Sequence, residues 1–273
     1  MSTYSRNGDS YNDYKHLSDE QCEEFFKLLT KSKRPLLYLG GGLNSIDGSA
    51  AIIEFNKQFN IPSVNTLMAK GVVDETLELN LGMLGMFGTP YANMVIQEND
   101  FFFAIGARWD DRVAEKVGFA IGSDIAYIDI NPEKVHQIRL ERSPKFSIIA
   151  DATTALIDLT NYAKRNNIKL NISEWQIRAR HLKNSWPLNY NRSSKHIQSA
   201  EVLDKLSNYV SSKDDNCPNV KIVTGVGNHQ MLAAQYLSMC KPQSFITSGS
   251  FGTMGFAMPQ RPCRCSTSTI SAD

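Results

Sequence analysis

The feature that most constrains this sequence is an apolar run that ends in a glycine and a charged loop. Residues 101–105 are three phenylalanines, an alanine and an isoleucine, which predicts a strand buried in a parallel sheet. Gly106 allows a sharp turn at its carboxyl end. Arginines and aspartates follow, namely Arg108, Asp110, Asp111 and Arg112. Ligands of open α/β sheets bind at such ends, where arginine can hold phosphate and aspartate can accept from hydroxyls. A solvated loop with mutually paired charges is an equally open alternative.

Strand and helix signals alternate about five times between residues 17 and 167. The predicted strands are 35–39, 61–66, 100–105, 124–130 and 145–150, and residues 82–90 are predicted as an apolar, glycine-rich loop. Ser18 with Gln21 forms a capping-box pattern, and Asp151 is placed to cap a helix over 152–165. This alternation predicts an α/β fold built on a doubly wound parallel sheet.

Glycines or acidic residues stand at several of these predicted strand ends and mark one ligand edge. Gly40, Gly41 and Gly42 follow the first strand, as in the βα turn of a nucleotide-binding unit, although a plain tight turn is as good an interpretation. Asp129 closes the 124–130 strand, where a ribose hydroxyl is often held. A helix cap before Pro132 is the alternative there.

The sequence divides into five predicted segments: a flexible leader (1–16), the α/β unit (17–167), a helical connector (168–195), the incomplete start of a second α/β unit (196–260) and an unrelated tail (261–273). The second unit has strands at 220–224 and 244–247, each followed by small residues. Two parallel strands cannot bury their own faces. We therefore expect this unit to be loosely packed when isolated.

Composition excludes several classes of function. The net charge is +1, which offers no electrostatic basis for nucleic-acid or membrane-surface binding. No apolar run approaches the roughly 20 residues that span a bilayer. The five scattered cysteines favour reduced thiols and a cytoplasmic location, with an organelle open if a transit peptide precedes this sequence.

Several motifs in order give the chain a family resemblance over roughly residues 17–260. They are residues 33–42, 83–86, 106–113, 129–132, 151–152, 225–231 and 246–259. In this order and spacing they resemble the catalytic large subunit of acetolactate synthase, a thiamine-diphosphate-dependent enzyme. The fold that the resemblance implies is a central FAD-binding domain followed by the start of a thiamine-diphosphate-binding domain.

The resemblance also implies site residues. Those matched to the FAD site are Gly40, Gly41, Gly42, Thr66, Leu67, Met68, Gly85, Met86, Gly106, Arg108, Asp110, Arg112, Val113, Asp129, Ile130 and Asp151. Those matched to the thiamine diphosphate site are Val226, Gly227, Asn228, His229, Gly252 and Met254. The family usually carries other residues at Phe87, Trp109, Ala150, Asn228 and Ser250, and the resemblance implies that each of these positions contacts a cofactor.

The implied reaction condenses pyruvate with a second 2-oxoacid, pyruvate or 2-oxobutanoate, with loss of carbon dioxide, in branched-chain amino-acid synthesis. The implied cofactors are FAD, thiamine diphosphate and Mg²⁺, and the implied partners are further copies of the chain and a regulatory subunit. The family's catalytic glutamate belongs to an N-terminal domain, and its metal motif, Gly-Asp-Gly, does not occur in this sequence. No catalytic or metal residue is therefore assigned, and we expect this chain alone to be inactive, with a tail that looks out of frame from Gln260.

Two other functions stay open. One is a non-catalytic module that binds FAD or another nucleotide. The other is a different thiamine-diphosphate carboligase, acting on sulfoacetaldehyde or glyoxylate. The blocks at 83–86 and 106–113 favour acetolactate synthase over these carboligases.

Overall fold

A parallel sheet forms the centre of the molecule. The computed structural model describes residues 16–109, 120, 122–192, 195–211 and 220–258. The strands of this sheet are β1 (Pro35–Leu39), β2 (Ser63–Asn65), β3 (Asn80–Met83), β4 (Phe101–Ile105), β5 (Asp124–Asp129) and β6 (Phe146–Ile149). They pair in parallel in the order β3-β2-β1-β4-β5-β6. This is the strand order of a doubly wound dinucleotide-binding sheet, so the predicted fold class is confirmed.

Helices connect these strands and extend the chain beyond them. They are α1 (Asp19–Leu29), α2 (Ile46–Phe59), α3 (Pro90–Glu98), α4 (Pro132–Arg142), α5 (Ala152–Arg165), α6 (Ser173–Ser185), α7 (Ser199–Ser211) and α8 (Asn228–Tyr236). Both predicted caps are present: Ser18 and Gln21 form a capping box on α1, and Asp151 accepts from Thr154 N on α5. The predicted helix bounds at 152–165 are confirmed.

Aromatic side chains cover both faces of the central strand β4. Phe101 and Phe103 point to one face, where each lies against the ring of Phe25 from α1. Phe102 points to the other face and stacks on Tyr38, with ring centroids 5.3 Å apart. Because neighbouring side chains of a strand alternate between faces, this packing buries β4 completely, as predicted from its lack of charge.

Strand β3 was missed by the sequence prediction, which assigned residues 82–90 to a loop. It is an edge strand with a polar first residue, Asn80, and an interior glycine, Gly82, whose φ is +74°. Its pairing with β2 is irregular between Ser63 and Asn65. Such a strand has neither apolar alternation nor β-branched residues, so no periodic signal marks it.

The predicted connector 168–195 is largely part of the central core. Trp175, Ala179 and Leu182 of α6 are buried with the sheet and its helices. Trp175 Nε1 donates to Pro35 O at 2.8 Å, and Lys183 Nζ donates to Leu77 O and Asn80 O. Helix α6 therefore ties the start of β1 to the segment before β3.

The second unit is a small two-stranded parallel sheet with two helices. Its strands are β7 (Ile222–Val223) and β8 (Phe245–Ile246). Phe245, Ala233 and Leu237 pack in one apolar cluster with Met83 of β3 and Leu67 of the central unit. Within this chain one residue of each strand, Phe245 and Ile222, thus packs in a cluster shared with the central unit. The loose packing of an isolated second unit stays a prediction.

Three other expectations concern the ends of the chain, the cysteines and membrane-spanning helices. The predicted leader, apart from His16, and the predicted tail lie outside the described residues. Cys22 is a buried free thiol, in line with the expectation of reduced thiols. None of the described helices combines the length and apolarity that crossing a membrane requires.

Candidate functional site

The carboxyl ends of the strands form one continuous edge. Beyond the strands, each pair of neighbours is joined by a further backbone hydrogen bond: Leu84 N to Asn65 O (3.1 Å), Thr66 N to Leu39 O (2.9 Å), Gly40 N to Ile105 O (2.9 Å), Gly106 N to Ile128 O (2.9 Å) and Ala150 N to Asp129 O (3.1 Å). The predicted residues Gly40, Thr66, Gly106 and Asp129 are therefore brought together along a single edge.

Glycines line the middle of this edge, where the strand order reverses between β1 and β4. Gly42 N donates to Gly106 O at 3.0 Å. A Cβ atom on Gly40 would lie 1.9 Å from Gly106 O, and one on Gly42 would lie 2.9 Å from Gly106 Cα. Gly106 itself has φ +60°. Only glycine permits this approach of the two turns, which leaves a shallow backbone cradle at the position where such sheets bind ligands.

The segment after β2 lies beside this cradle. A Cβ atom on Gly41 would lie 2.9 Å from Met68 Cβ, and Asn44 Nδ2 donates to Met68 O at 2.8 Å. Thr66 Oγ1 and Asn65 Oδ1 are buried and have no hydrogen-bond partner in the described protein. Buried polar atoms are rarely left unpaired, so these two oxygens are open to a ligand that can donate to them or, at the hydroxyl, accept.

The loop after β3 is held from two sides. Asn93 of α3 brackets Gly85, accepting from its N at 3.0 Å and donating to its O at 2.9 Å. Gln235 of α8 donates to Phe87 O at 3.0 Å. The Met86 side chain between them is exposed. This loop therefore lies between the central unit and the second unit.

Asp129 is the buried carboxylate of the edge. Its Oδ1 accepts from Asn131 N at 2.8 Å. Burial raises the pKa of Asp129, and hydrogen bonds and the charge of Arg108 oppose that rise only in part. Asn131, and not Asp129, caps α4, since its side chain accepts from Glu133 N and Lys134 N. The helix cap that was the alternative role for Asp129 is therefore supplied by Asn131. Ile130 lies between these two residues.

Trp109 is buried in the core. Its ring contacts Tyr38, Phe102 and Tyr127 edge-on, with centroids 5.6 to 6.4 Å apart. The family resemblance implied that Trp109 contacts a cofactor. Its packing shows a side chain that supports the sheet from one face. Arg108 beside it is exposed. The predicted residues Asp110, Arg112 and Val113 lie outside the described residues.

Asp151 is engaged as the cap of α5, where Oδ1 accepts from both Thr154 N and Thr154 Oγ1. Asp151 directly follows Ala150, whose N donates a hydrogen bond to Asp129 O at the end of β5. The carboxylate is therefore near the site edge but already committed to the helix. A direct ligand role for Asp151 stays a prediction.

The second predicted site is built on the turns that follow β7 and β8. Beneath them, Thr224 Oγ1 donates to Thr247 Oγ1 at 2.7 Å, and Gln230 Nε2 donates to the same oxygen at 2.6 Å. This buried network fixes the two turns side by side. Gly227 (φ +138°) then precedes α8, and no side chain caps the first amides of that helix.

The predicted thiamine-side residues are distributed over these turns. Val226 and Gly252 approach each other, since a Cβ atom on Gly252 would lie 3.9 Å from Val226 Cγ1. Asn228 and His229 open α8 and are exposed, and Met254 is exposed beyond Gly252. Among the described residues, no three His, Cys, Asp or Glu side chains form a group that could hold a metal ion.

The segments predicted for the FAD site and for the thiamine diphosphate site meet at Met68. A Cβ atom on Gly249 would lie 2.3 Å from Met68 Sδ. Gly71, with φ +80°, is equally close to the second unit, since its Cβ would lie 2.2 Å from Lys241 O. The same segment carries the buried charges of Lys70 and Glu75, which sequence reasoning missed. The available signal was a lone lysine among the apolar and small residues 67–73.

Comparison with known protein families gives two matches, one to each part of the chain. Residues 22–159 match the central domain of thiamine pyrophosphate enzymes, and residues 225–261 match their C-terminal TPP-binding domain. The first match alone covers half of the chain. The chain belongs to the thiamine pyrophosphate enzymes.

Within the thiamine pyrophosphate enzymes the chain is similar to acetolactate synthase large subunits. It is 37% identical to the acetolactate synthase large subunit of Porphyra purpurea over 89% of this chain and 40% of that protein. It is 37% identical to chloroplastic acetolactate synthase 1 of Nicotiana tabacum over 87% and 34%. It is 36% identical to the large subunit of Corynebacterium glutamicum over 88% and 37%. The chain thus spans about 40% or less of the length of these relatives.

Proposed function

We propose that this chain supplies the FAD-binding core and the first part of the thiamine diphosphate site of an acetolactate synthase large subunit. The observation that carries the proposal is the glycine cradle, in which Gly40 and Gly42 lie against Gly106 where the sheet order reverses. Dinucleotides bind at that point of a doubly wound sheet. The similarity to acetolactate synthases over most of this chain supports the same assignment.

The residues of the edge fit a flavin dinucleotide. The cradle lets a pyrophosphate approach the backbone, and the unpaired Thr66 Oγ1 offers a polar contact beside it. Asp129 is a buried acceptor at the end of a neighbouring strand. In acetolactate synthases FAD is largely structural, because the reaction has no net redox step. Here its role would be to fill and order this edge, with Met68, Gly85 and Met86 beside the ring.

The turns of the second unit fit part of a thiamine diphosphate site. The uncapped N-terminus of α8 offers amides to an anionic group. The network of Thr224, Thr247 and Gln230 holds that terminus against the turn that carries Gly252. When bound, thiamine diphosphate supplies a carbanion-stabilising thiazolium ring. The contribution of this chain would be to position one end of the cofactor.

The substrates that follow from the proposal are pyruvate and a second 2-oxoacid such as 2-oxobutanoate. Mg²⁺ would accompany the diphosphate, held by residues other than those described here. Further copies of the chain and a regulatory subunit are the proposed partners. The proposed compartment is the cytoplasm or, as for the chloroplastic relative of Nicotiana tabacum, an organelle.

Flavin content and acetolactate formation together test the proposal. The chain is purified, its flavin is measured by absorbance after denaturation, and pyruvate turnover is assayed with FAD, thiamine diphosphate and Mg²⁺. Stoichiometric flavin supports the FAD site, and added acetolactate formation supports the complete function. Flavin without turnover is the result expected of this chain alone, and a non-catalytic binding module would give the same result. A chain that neither retains nor binds FAD overturns the proposal.

A further inference from the structure

A buried ion pair lies where the central unit meets the second unit. Lys70 Nζ is 2.6 Å from Glu75 Oε2, and their side chains are only 2% and 5% exposed. Lysine and glutamate are almost never buried this deeply unless they are paired. Both belong to the segment that follows β2, two and seven residues beyond Met68.

Each member of the pair also binds the backbone just after α8. Lys70 Nζ donates to Leu237 O at 3.0 Å, and Glu75 Oε2 accepts from Met239 N at 2.9 Å. Glu75 N donates to Met239 O at 3.1 Å. The ammonium group thus lies at the carboxyl end of α8, where a positive charge is favoured by the helix dipole.

This arrangement has a fixed polarity. Leu237 O can only accept a hydrogen bond and Met239 N can only donate one, so the cation must be at 70 and the anion at 75. The apolar cluster of Met83, Ala233 and Phe245 nearby has no such directionality, because hydrophobic contact is proportional to buried area. The ion pair and its hydrogen bonds therefore add a directional constraint between the two units that apolar contact does not supply.

We propose that Lys70 and Glu75 form a clamp that fixes the second unit in one register on the central unit. The clamp holds the segment after α8, and with it the turn in which Gly249 lies against Met68. The clamp would also hold the proposed FAD site and the proposed thiamine diphosphate site in one relative position, and this consequence rests on the function proposed above. The clamp itself does not depend on a bound cofactor.

Hydrogen exchange of the full chain, without cofactors, tests the clamp. The reporters are the amides of Ile222 and Thr224, which bond to Ser244 O and Ile246 O, and the internal reference is Gly106 N in the central sheet. Removing one partner leaves an unpaired buried charge. We expect K70M and E75Q each to accelerate exchange at Ile222 and Thr224 by about tenfold or more, with exchange at Gly106 unchanged.

Charge reversal separates a clamp from a simple ion pair. The double variant K70E/E75K keeps both charges but sets a carboxylate against Leu237 O and an ammonium against Met239 N. We expect its exchange at Ile222 and Thr224 to stay as fast as in the single variants. K57M is the matched control, since it removes an exposed lysine that pairs with Glu54; it should exchange like the wild type.

Three outcomes would overturn the clamp: wild-type exchange in both single variants, full recovery in K70E/E75K, or equal acceleration at Gly106. If K70M does not fold, E75Q, which keeps the shape of the side chain, decides alone. FAD affinity is measured on the same samples. A wild type that binds no FAD would refute the proposed function while the exchange rates still decide the clamp.

Discussion

Gly40 and Gly106 lie so close that neither turn can carry a side chain towards the other. A Cβ atom on Gly40 would stand 1.9 Å from the carbonyl oxygen of Gly106, while Gly40 N donates to Ile105 O one residue earlier. The contact joins the carboxyl ends of β1 and β4 at the reversal of strand order. It makes the backbone itself the surface that a ligand meets.

The first prediction concerns the stability of this contact. Gly40→Ala forces backbone atoms of the two turns apart, and we expect it to lower the free energy of unfolding by about 3 kcal/mol or more. Urea unfolding followed by circular dichroism measures the change. Gly225→Ala is the matched control, because its new Cβ would be 3.2 Å from the His229 ring nitrogen, which can move. Equal stability of the two variants would show that the turns are not in close contact.

The second prediction concerns the unpaired hydroxyl of Thr66. Thr66→Val removes an oxygen that has no partner among the described residues, so the unfolding free energy without cofactor should change by less than about 0.5 kcal/mol or increase. FAD affinity should fall by about fivefold or more if the hydroxyl contacts the flavin nucleotide. Titration calorimetry measures the affinity.

Thr89→Val is the control for Thr66→Val. The Thr89 hydroxyl donates to Leu81 O and accepts from Ala92 N, so its loss should destabilise the protein by about 1 to 2 kcal/mol. FAD affinity should not change in this variant. The reverse pattern, with Thr66→Val destabilising and FAD affinity intact, would place a protein partner on Thr66.

The third prediction concerns pH and Asp129. Burial raises the pKa of this carboxyl above its ordinary value of 3.8. Its protonated form is therefore favoured by folding, and this contribution to stability is lost as the pH rises through the folded-state pKa. We expect Asp129→Asn to gain stability relative to the wild type as the pH rises from about 4 to 7.

Asp124→Asn serves as the comparison, because Asp124 is exposed at the start of the same strand. Unfolding free energies of the three proteins are measured across the pH range. A difference between Asp129→Asn and the wild type that does not vary with pH would show that burial does not shift this carboxyl.

The fourth prediction concerns Trp109. Its ring is buried against Tyr38, Phe102 and Tyr127, so Trp109→Ala should cost about 3 to 5 kcal/mol of stability. Trp109→Phe should cost less, with FAD affinity unchanged. Trp186→Ala removes a half-exposed ring and should stay within about 0.5 kcal/mol of the wild type. A loss of FAD affinity in Trp109→Phe at unchanged stability would restore the contact with the cofactor that the sequence comparison suggested.

Local signals predicted the central fold well because they coincide with its packing. The buried strand β4 was marked by its lack of charge, and α1 and α5 by their caps. The glycines and Asp129 were predicted to lie on one edge of the sheet, because parallel strands bring their carboxyl ends together. The edge strand β3, with a glycine and an asparagine in four residues, carries no such pattern.

The missed features depend on contacts that are distant in sequence. Lys70 is buried only because residues 237–239 return to it, and Trp109 turns into the core only because Tyr38 and Tyr127 leave space for its ring on one face of the sheet. Neither contact produces a periodic pattern of apolar residues in the nearby sequence. The same holds for Met68, whose contact with Gly249 joins segments about 180 residues apart.

The most direct test of the account is titration of FAD into the purified, flavin-free chain, followed by quenching of flavin fluorescence. The wild type and the Gly225→Ala variant should bind one FAD per chain with similar affinity. Gly40→Ala should bind at least about tenfold more weakly, since its methyl group occupies the cradle beside Gly106. Failure of the wild type to bind FAD, or equal affinity in the folded Gly40→Ala variant, would contradict a flavin site at this edge.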